Sequence, residues 1–346
     1  MKNLYLVFFT FLIMHSFVSS QDLHYTQFYA SPLNLNPAAA GVFYGDYRFA
    51  ANYRDQWSSL GTPYTTMSLS YDMKLFKRQL DGNFIGVGLI INEDKAGDAK
   101  LQNFQTNVAL SFNKALNGDG NHYISVGGQY GYAQRSVSVS NATWDSQWDG
   151  NEYNANFPVN EPLNQSFWYS DLSAGLMWHY APSQLMNFNL GFGMEHINQP
   201  NISFITNAQD ILYKRYNIHT TDFFAMSEAE NLYLVPSILY TWQGPAKELD
   251  FGSFLMYIMT DRSRYTKFKG EIDLSFGLFV RAKDAIMPAI RIGIRNLAFG
   301  VSYDINTSKL NEATGGSGGL EFSLIYSNRI TKSHFRRGAP KDTRYL

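Results

Sequence analysis

The chain has 346 residues, of which 16% are aromatic and only 16% charged, and its formal net charge is −1. That balance excludes nucleic-acid binding, which needs clustered cations to displace counterions. Charged content well below the roughly 25% of ordinary globular proteins points to a surface covered by something other than water, and the absence of cysteine leaves neither disulfides nor thiolate metal sites.

Residues 1–20 combine Lys2, an apolar run from Leu4 to Val18 and small residues at Val18 and Ser20, which predicts a signal peptide removed on export. No later stretch approaches the roughly 18 consecutive apolar residues of a spanning helix. Residues 21–45 show little alternation and are broken by Pro32, Pro37 and Gly41. They are read as an irregular N-terminal segment, periplasmic or inserted in a lumen.

Period-two alternation starts near Asp46 and recurs to about Ile330. Tyr47, Phe49, Ala51 and Tyr53 form one apolar set, and Met67, Leu69, Tyr71, Met73 and Leu75 the next. Further strands are predicted around 85–91, 104–112, 123–133, 172–180 and 188–194, with a poorly patterned one near 216–226. Another covers 232–242, where Pro236 predicts a bulge or locally broken pairing. Strands near 249–257 and 272–280 lead to a hairpin in which Ile290, Ile292 and Ile294 face Val301, Phe299 and Leu297 across Arg295-Asn296. Asn296 is the turn residue expected to tolerate positive φ. A last strand carries Leu320, Phe322, Leu324 and Tyr326.

The total is about fourteen antiparallel strands of near ten residues, the length that crosses a bilayer when tilted. Long connections at 92–100, 139–165, 198–215 and 307–319 fall at one end and short ones at the other. This asymmetry predicts an all-β, transmembrane outer-membrane barrel over 46–330 rather than a soluble sandwich. An even strand count places both barrel termini on one side, and residues 331–346 form a basic tail expected to face the periplasm.

No catalytic, cofactor or metal constellation emerges. The histidines are scattered, without a His-x-x-x-His pair or carboxylates at ligand spacing. His179 shares a strand face with Asp171 and Ser173, which reads as polar lumen filling rather than a hydrolase triad. The densest recognition candidate is the loop at 140–162, with Trp144, Trp148, Tyr153 and Phe157 among Asp145, Asp149 and Glu152. Aromatic side chains held in a polar loop are what binding hot spots use, although a long loop can instead fold inward over the barrel mouth. Asn141-Ala142-Thr143 fits a glycosylation sequon, a pattern frequent by chance.

The ordered run Asn34-Leu35-Asn36-Pro37-Ala38-Ala39-Ala40-Gly41, then Tyr53-Arg54-Asp55-Gln56-Trp57, Ile85-Gly86-Val87-Gly88-Leu89 and His196-Ile197-Asn198-Gln199-Pro200, resembles the PorP/SprF family of type IX secretion membrane proteins of Bacteroidetes. Ala39 stands where that family usually carries an aromatic residue, and Gly319-Leu320-Glu321 replaces a usual Ser-His-Glu. The resemblance implies an outer-membrane barrel without enzymatic activity or cofactor, needed for export or surface anchoring of a large adhesin-like protein, as in gliding. Implied partners are membrane lipid, the C-terminal domain of that secreted protein, and periplasmic or outer-membrane secretion components. Asn36, Pro37, Gly41, His196, Gln199 and Pro200 are the family landmarks. The alternative reading is an outer-membrane channel or transporter for a hydrophobic or small solute.

Overall fold

Every second side chain along the predicted strands turns out to share one side of a single wall. A computed structural model describes residues 22–328 except 58–60, 62, 78, 98, 119–120, 139–142, 155, 160–162, 184, 228–230, 261–271, 309–310 and 312–314. The expected signal peptide, Asn141 and Ala142 of the sequon, and the basic tail lie outside the described residues. The wall begins with β1 (Tyr47–Gln56), β2 (Tyr64–Leu75), β3 (Phe84–Ala96), β4 (Leu101–Ala115) and β5 (His122–Ser136). It continues with β6 (Ser166–Ser183), β7 (Met186–Glu195), β8 (Arg215–Thr221), β9 (Phe223–Ala225) and β10 (Leu232–Gln243). It ends with β11 (Ala246–Thr260), β12 (Ile272–Arg281), β13 (Ala285–Ile294), β14 (Leu297–Asn306) and β15 (Ser317–Asn328).

Apart from β8 and β9, each strand pairs antiparallel with its sequence neighbours, and β1 pairs with β15 through ten matched positions from Tyr47–Asn328 to Gln56–Gly319. The wall therefore closes on itself and leaves no free edge among the described strands. Strands β8 and β9 both lie between β7 and β10 and act as two halves of one stave, so the barrel has fourteen. Pro236 explains the split. It sits in the stretch of β10 between the residues that pair with β9 and those that pair with β8, and its carbonyl accepts the N–H of Asp222, the residue between the two halves. A proline has no N–H to return, so the ladder interrupts there.

The two faces differ in kind. Phe49, Tyr53, Leu110, Phe276, Leu278, Ile290 and Ile292 are exposed on the outer face, where lipid replaces water as their surroundings. Between them Arg48, Asn52, Arg54, Asp72, Ser111, Ser275 and Glu321 point inward and are buried. The Ile294–Leu297, Ile292–Phe299 and Ile290–Val301 register is the one expected from alternation. The positive φ in that turn falls on Arg295 (56°) and not on Asn296.

The end asymmetry is narrower than expected. Loops 137–165 and 196–214 are long, but the connection expected at 92–100 is mostly strand. Asn92 to Ala96 pair with Gln105 to Leu101, because a backbone ladder does not depend on alternating side-chain polarity. The two long loops define one mouth, called here the loop mouth, and the 295–296 turn belongs to the opposite, turn mouth. Tyr47 and Asn328 both lie at the turn mouth, whereas Asp22 lies at the loop mouth, so the shared side of the strand termini does not extend to the N-terminal segment.

Candidate functional site

Residues 22–45 enter the lumen at the loop mouth and descend to the start of β1. Short helical turns at Phe28–Ala30, Pro32–Leu35 and Pro37–Ala39 pack this segment without a regular ladder to the wall. The wall instead meets its main chain with polar side chains. Near the loop mouth Arg215 donates to Leu23 O (2.7 Å) and Arg54 to His24 O (3.1 Å). Glu321 accepts the N–H groups of Thr26 (2.7 Å) and Gln27 (3.0 Å). Near the turn mouth Ser111 donates to Ala40 O (2.7 Å), Asp72 accepts from Gly41 N (2.8 Å) and Lys74 donates to Phe43 O. Between these polar ends Phe28 and Tyr29 pack edge-on or stacked against Phe254 and Phe279, all four buried. Such aromatic contacts add about 0.5–1.5 kcal/mol each beyond area burial.

Two charged arrangements anchor the wall side. Arg48 forms a two-pronged pair with Asp72, both bonds at 2.9 Å. Asp304 sits between Arg54 (2.8 Å) and Arg281 (3.2 Å), and Arg281 also faces Asp250 (3.2 Å). A third arrangement joins segment to wall: His196 Nδ1 bonds Asp171 (3.0 Å) while Nε2 bonds Asp22, and Arg215 lies 3.8 Å from the neighbouring Glu195. Burial alone would favour the neutral ring, but the Asp22 and Asp171 carboxylates raise the His196 pKa to about 10. Burial likewise favours the neutral Asp22 acid, yet the adjacent imidazolium holds that carboxyl well below its usual value. Asp22, Glu195 and His196 could each offer one ligand atom to a cation. The imidazolium and Arg215 already supply the positive charge there.

The loop at 137–165 presents a different surface. A turn at Asp145–Gln147 and a bridge between Trp148 and Tyr153 make a small hairpin built around buried Gln147. Gln147 donates to Phe157 O (3.2 Å) and accepts from Trp144 N and the Tyr153 hydroxyl (both 3.3 Å). Asp149 accepts the N–H groups of Asn151 and Glu152, which lowers its pKa and tightens the tip. With the amide side chain inside, Trp148 (57% exposed), Tyr153 (44%) and Phe157 (40%) stand outward, and Trp144 is half-buried. At that exposure Trp148, Tyr153 and Phe157 are not packed inside the barrel mouth. Its base is tied to loop 196–214 by Asn164 N donating to Phe204 O (2.7 Å), by a Leu163–Ile205 bridge and by Phe204 against Phe167.

The structure gathers the landmark residues into two groups. Asn36 caps the turn that Pro37 begins, accepting from Ala38 N (2.9 Å) and donating to Leu176 O (2.9 Å) in the wall. Gly41 follows at φ 73°, a backbone that lets the segment turn toward β1. His196 and Gln199, both at positive φ, form the turn that ends on buried Pro200. The face shared by Asp171, Ser173 and His179 does not assemble a triad: Asp171 bonds His196, and His179 bonds Asn189 (2.7 Å). Sequence reading missed Asp22, Arg54, Asp72, Arg215 and Glu321 as segment anchors, since their partners lie up to 295 positions away. The one visible signal was a charged residue recurring on an otherwise small inward face.

The chain matches, over residues 17–326, the family described as type IX secretion system membrane protein PorP/SprF. No curated protein matches it. Among solved structures it is similar to the Ralstonia pickettii toluene transporter TbuX, at 8% identity over 87% of this chain and 94% of that one, with a TM-score of 0.49. A Pseudomonas aeruginosa FadL homologue is similar at 10% identity over 84% and 92%, with a TM-score of 0.46. BamA from Haemophilus ducreyi lacking POTRA domains 1–3 is similar at 10% identity over 82% and 70%, with a TM-score of 0.42.

Proposed function

Because the chain belongs to the PorP/SprF family of type IX secretion system membrane proteins, an outer-membrane barrel, we propose that it is a non-enzymatic receptor and anchor. It holds the C-terminal domain of a large exported surface protein, and further secretion components dock on the same barrel. The observation that carries this reading is the outward set Trp148, Tyr153 and Phe157 on a hairpin fixed from inside by Gln147. Rigid aromatic side chains lose little entropy on binding and dominate interface energetics. A solute channel fits less well, because residues 22–45 occupy the lumen such a channel needs.

The test is a detergent pulldown of the native barrel followed by mass spectrometry, repeated with Trp148→Ala and Tyr153→Ala together. Each lost anchor is expected to cost about 2 kcal/mol, roughly a thirtyfold loss of affinity. A secreted partner retained in full by the double variant moves the contact off this loop. Finding no secreted partner in actively exporting cells defeats the anchor reading, and a large stable conductance of the purified barrel favours the channel.

A further inference from the structure

The polar groups that hold residues 22–45 share a property: most of them address main chain. Arg215, Arg54, Glu321, Ser111 and Asp72 bond carbonyls or N–H groups that every polypeptide carries. Side chains are held to small size at Ala38, Ala39 and Ala40, which are almost fully buried, whereas Phe28 and Tyr29 fill an aromatic pocket and Asn36 bonds Leu176 O.

The grips also exist without their occupant. Arg48 is neutralised by Asp72, and Arg54 and Arg281 by Asp304, entirely within the wall. Removing the segment thus strands no buried guanidinium, the event that makes breaking an ion pair costly. The exceptions are Glu321, which gives up the N–H groups of Thr26 and Gln27 and keeps Arg54 at 3.9 Å, and the latch, where Asp22 supplies one of the two carboxylates on His196. The segment is covalently fixed to β1 at the turn mouth, and the Asp22 latch is the contact at the opposite end of its described residues.

We propose that the lumen is a preformed receptor for polypeptide main chain, occupied in cis by residues 22–45, and that a segment of the exported partner, small-residue where Ala38 to Ala40 now lie, takes their place after the Asp22–His196 latch opens. The occupant is a polypeptide because paired backbone donors and acceptors are what these side chains satisfy, and it is small-residue over one stretch because Ala38, Ala39 and Ala40 are buried against the wall with no room beside them. This rests on the receptor reading above and adds a self-occupied, exchangeable site to it.

The chain has no cysteine, so an introduced pair is the sole thiol target. Asn34 Nδ2 lies 2.8 Å from Ser68 Oγ, across the segment–wall boundary. In cells expressing Asn34→Cys with Ser68→Cys, a short reducible bis-thiosulfonate linker is expected to reduce surface display of the partner about tenfold or more, with recovery on reduction. A locked barrel that displays its partner as well as either single variant makes the segment a permanent core and overturns the proposal. A second measurement needs no partner: in purified Ala38→Cys protein, maleimide labelling is expected to speed about tenfold when Asp22→Asn is added. Equal rates overturn the latch, and these rates decide segment opening even where the receptor reading fails.

Discussion

A β-carbon placed on Gly86 would stand 2.0 Å from the carbonyl oxygen of Ala40. The contact is backbone on both sides, so neither partner has a flexible end to yield, and Ala40 O is already bonded to Ser111. Gly86→Val is therefore expected to unseat the lower half of the N-terminal segment at a cost of about 1–3 kcal/mol. Limited proteolysis checks this: cleavage between residues 30 and 45 should rise in the variant while the barrel remains resistant.

Leu110 and Leu278 are more than half exposed on the outer face. Arginine at either is expected to cost about 2–4 kcal/mol near the bilayer midplane, read from denaturant titration in lipid vesicles. Alternation alone predicts that Ser111→Arg and Ser275→Arg are tolerated, as in a water-filled barrel. Ser111 is 4% exposed and Ser275 fully buried, so the expectation reverses: both overpack a filled lumen and destabilise.

Arg54 is 1% exposed and serves Asp304, the His24 carbonyl and, at 3.9 Å, Glu321. Arg54→Met keeps much of the side-chain volume and removes the charge that two buried carboxylates face. A loss of about 3–5 kcal/mol is expected in the same titration. Stability within about 1 kcal/mol of the parent would show that Arg281 compensates through Asp304.

The latch sets a pH window. His196 gains stability from a pKa raised from 6.5 to about 10, so its contribution is complete below about pH 6.5 and gone once pH has risen through about 10. Asp22 has a lowered pKa, so its contribution is present above about pH 3.8 and lost as pH falls through its depressed folded value. Asp171, Glu195 and Arg215 are the other charged groups around the ring. Thermal unfolding should show falling stability from pH 6.5 to 10 in the parent. His196→Gln should flatten that slope; an unchanged slope would place the alkaline loss elsewhere.

How much of this was legible depends on whether the information is local. The Ile290–Val301 register could be read directly, because alternation on both sides of a two-residue turn leaves one pairing that keeps Ile292 with Phe299. Pro236 announced a broken ladder, but only the structure shows the break on the partner strand, at Asp222. The strand ends at Asn92–Ala96 were hidden by polar residues that pair through backbone alone. The aromatic loop was visible by composition, yet its outward pose depends on Gln147, whose side-chain bonds carry no sequence signature. Least legible was the latch, since Asp22 and His196 are 174 positions apart and neither belongs to a periodic element.

The seam between β1 and β15 joins the first stave to the last, and Glu321 on β15 holds Thr26 from 295 positions away. The barrel therefore cannot close until β15 has been made, whereas the segment that fills it precedes every strand. A ring closed around an empty lumen would have to admit residues 22–45 lengthwise past buried ion pairs. Wrapping the staves around a segment already in place avoids that passage. Closure and filling are then one kinetic event, and its rate is set by the longest loop in the molecule.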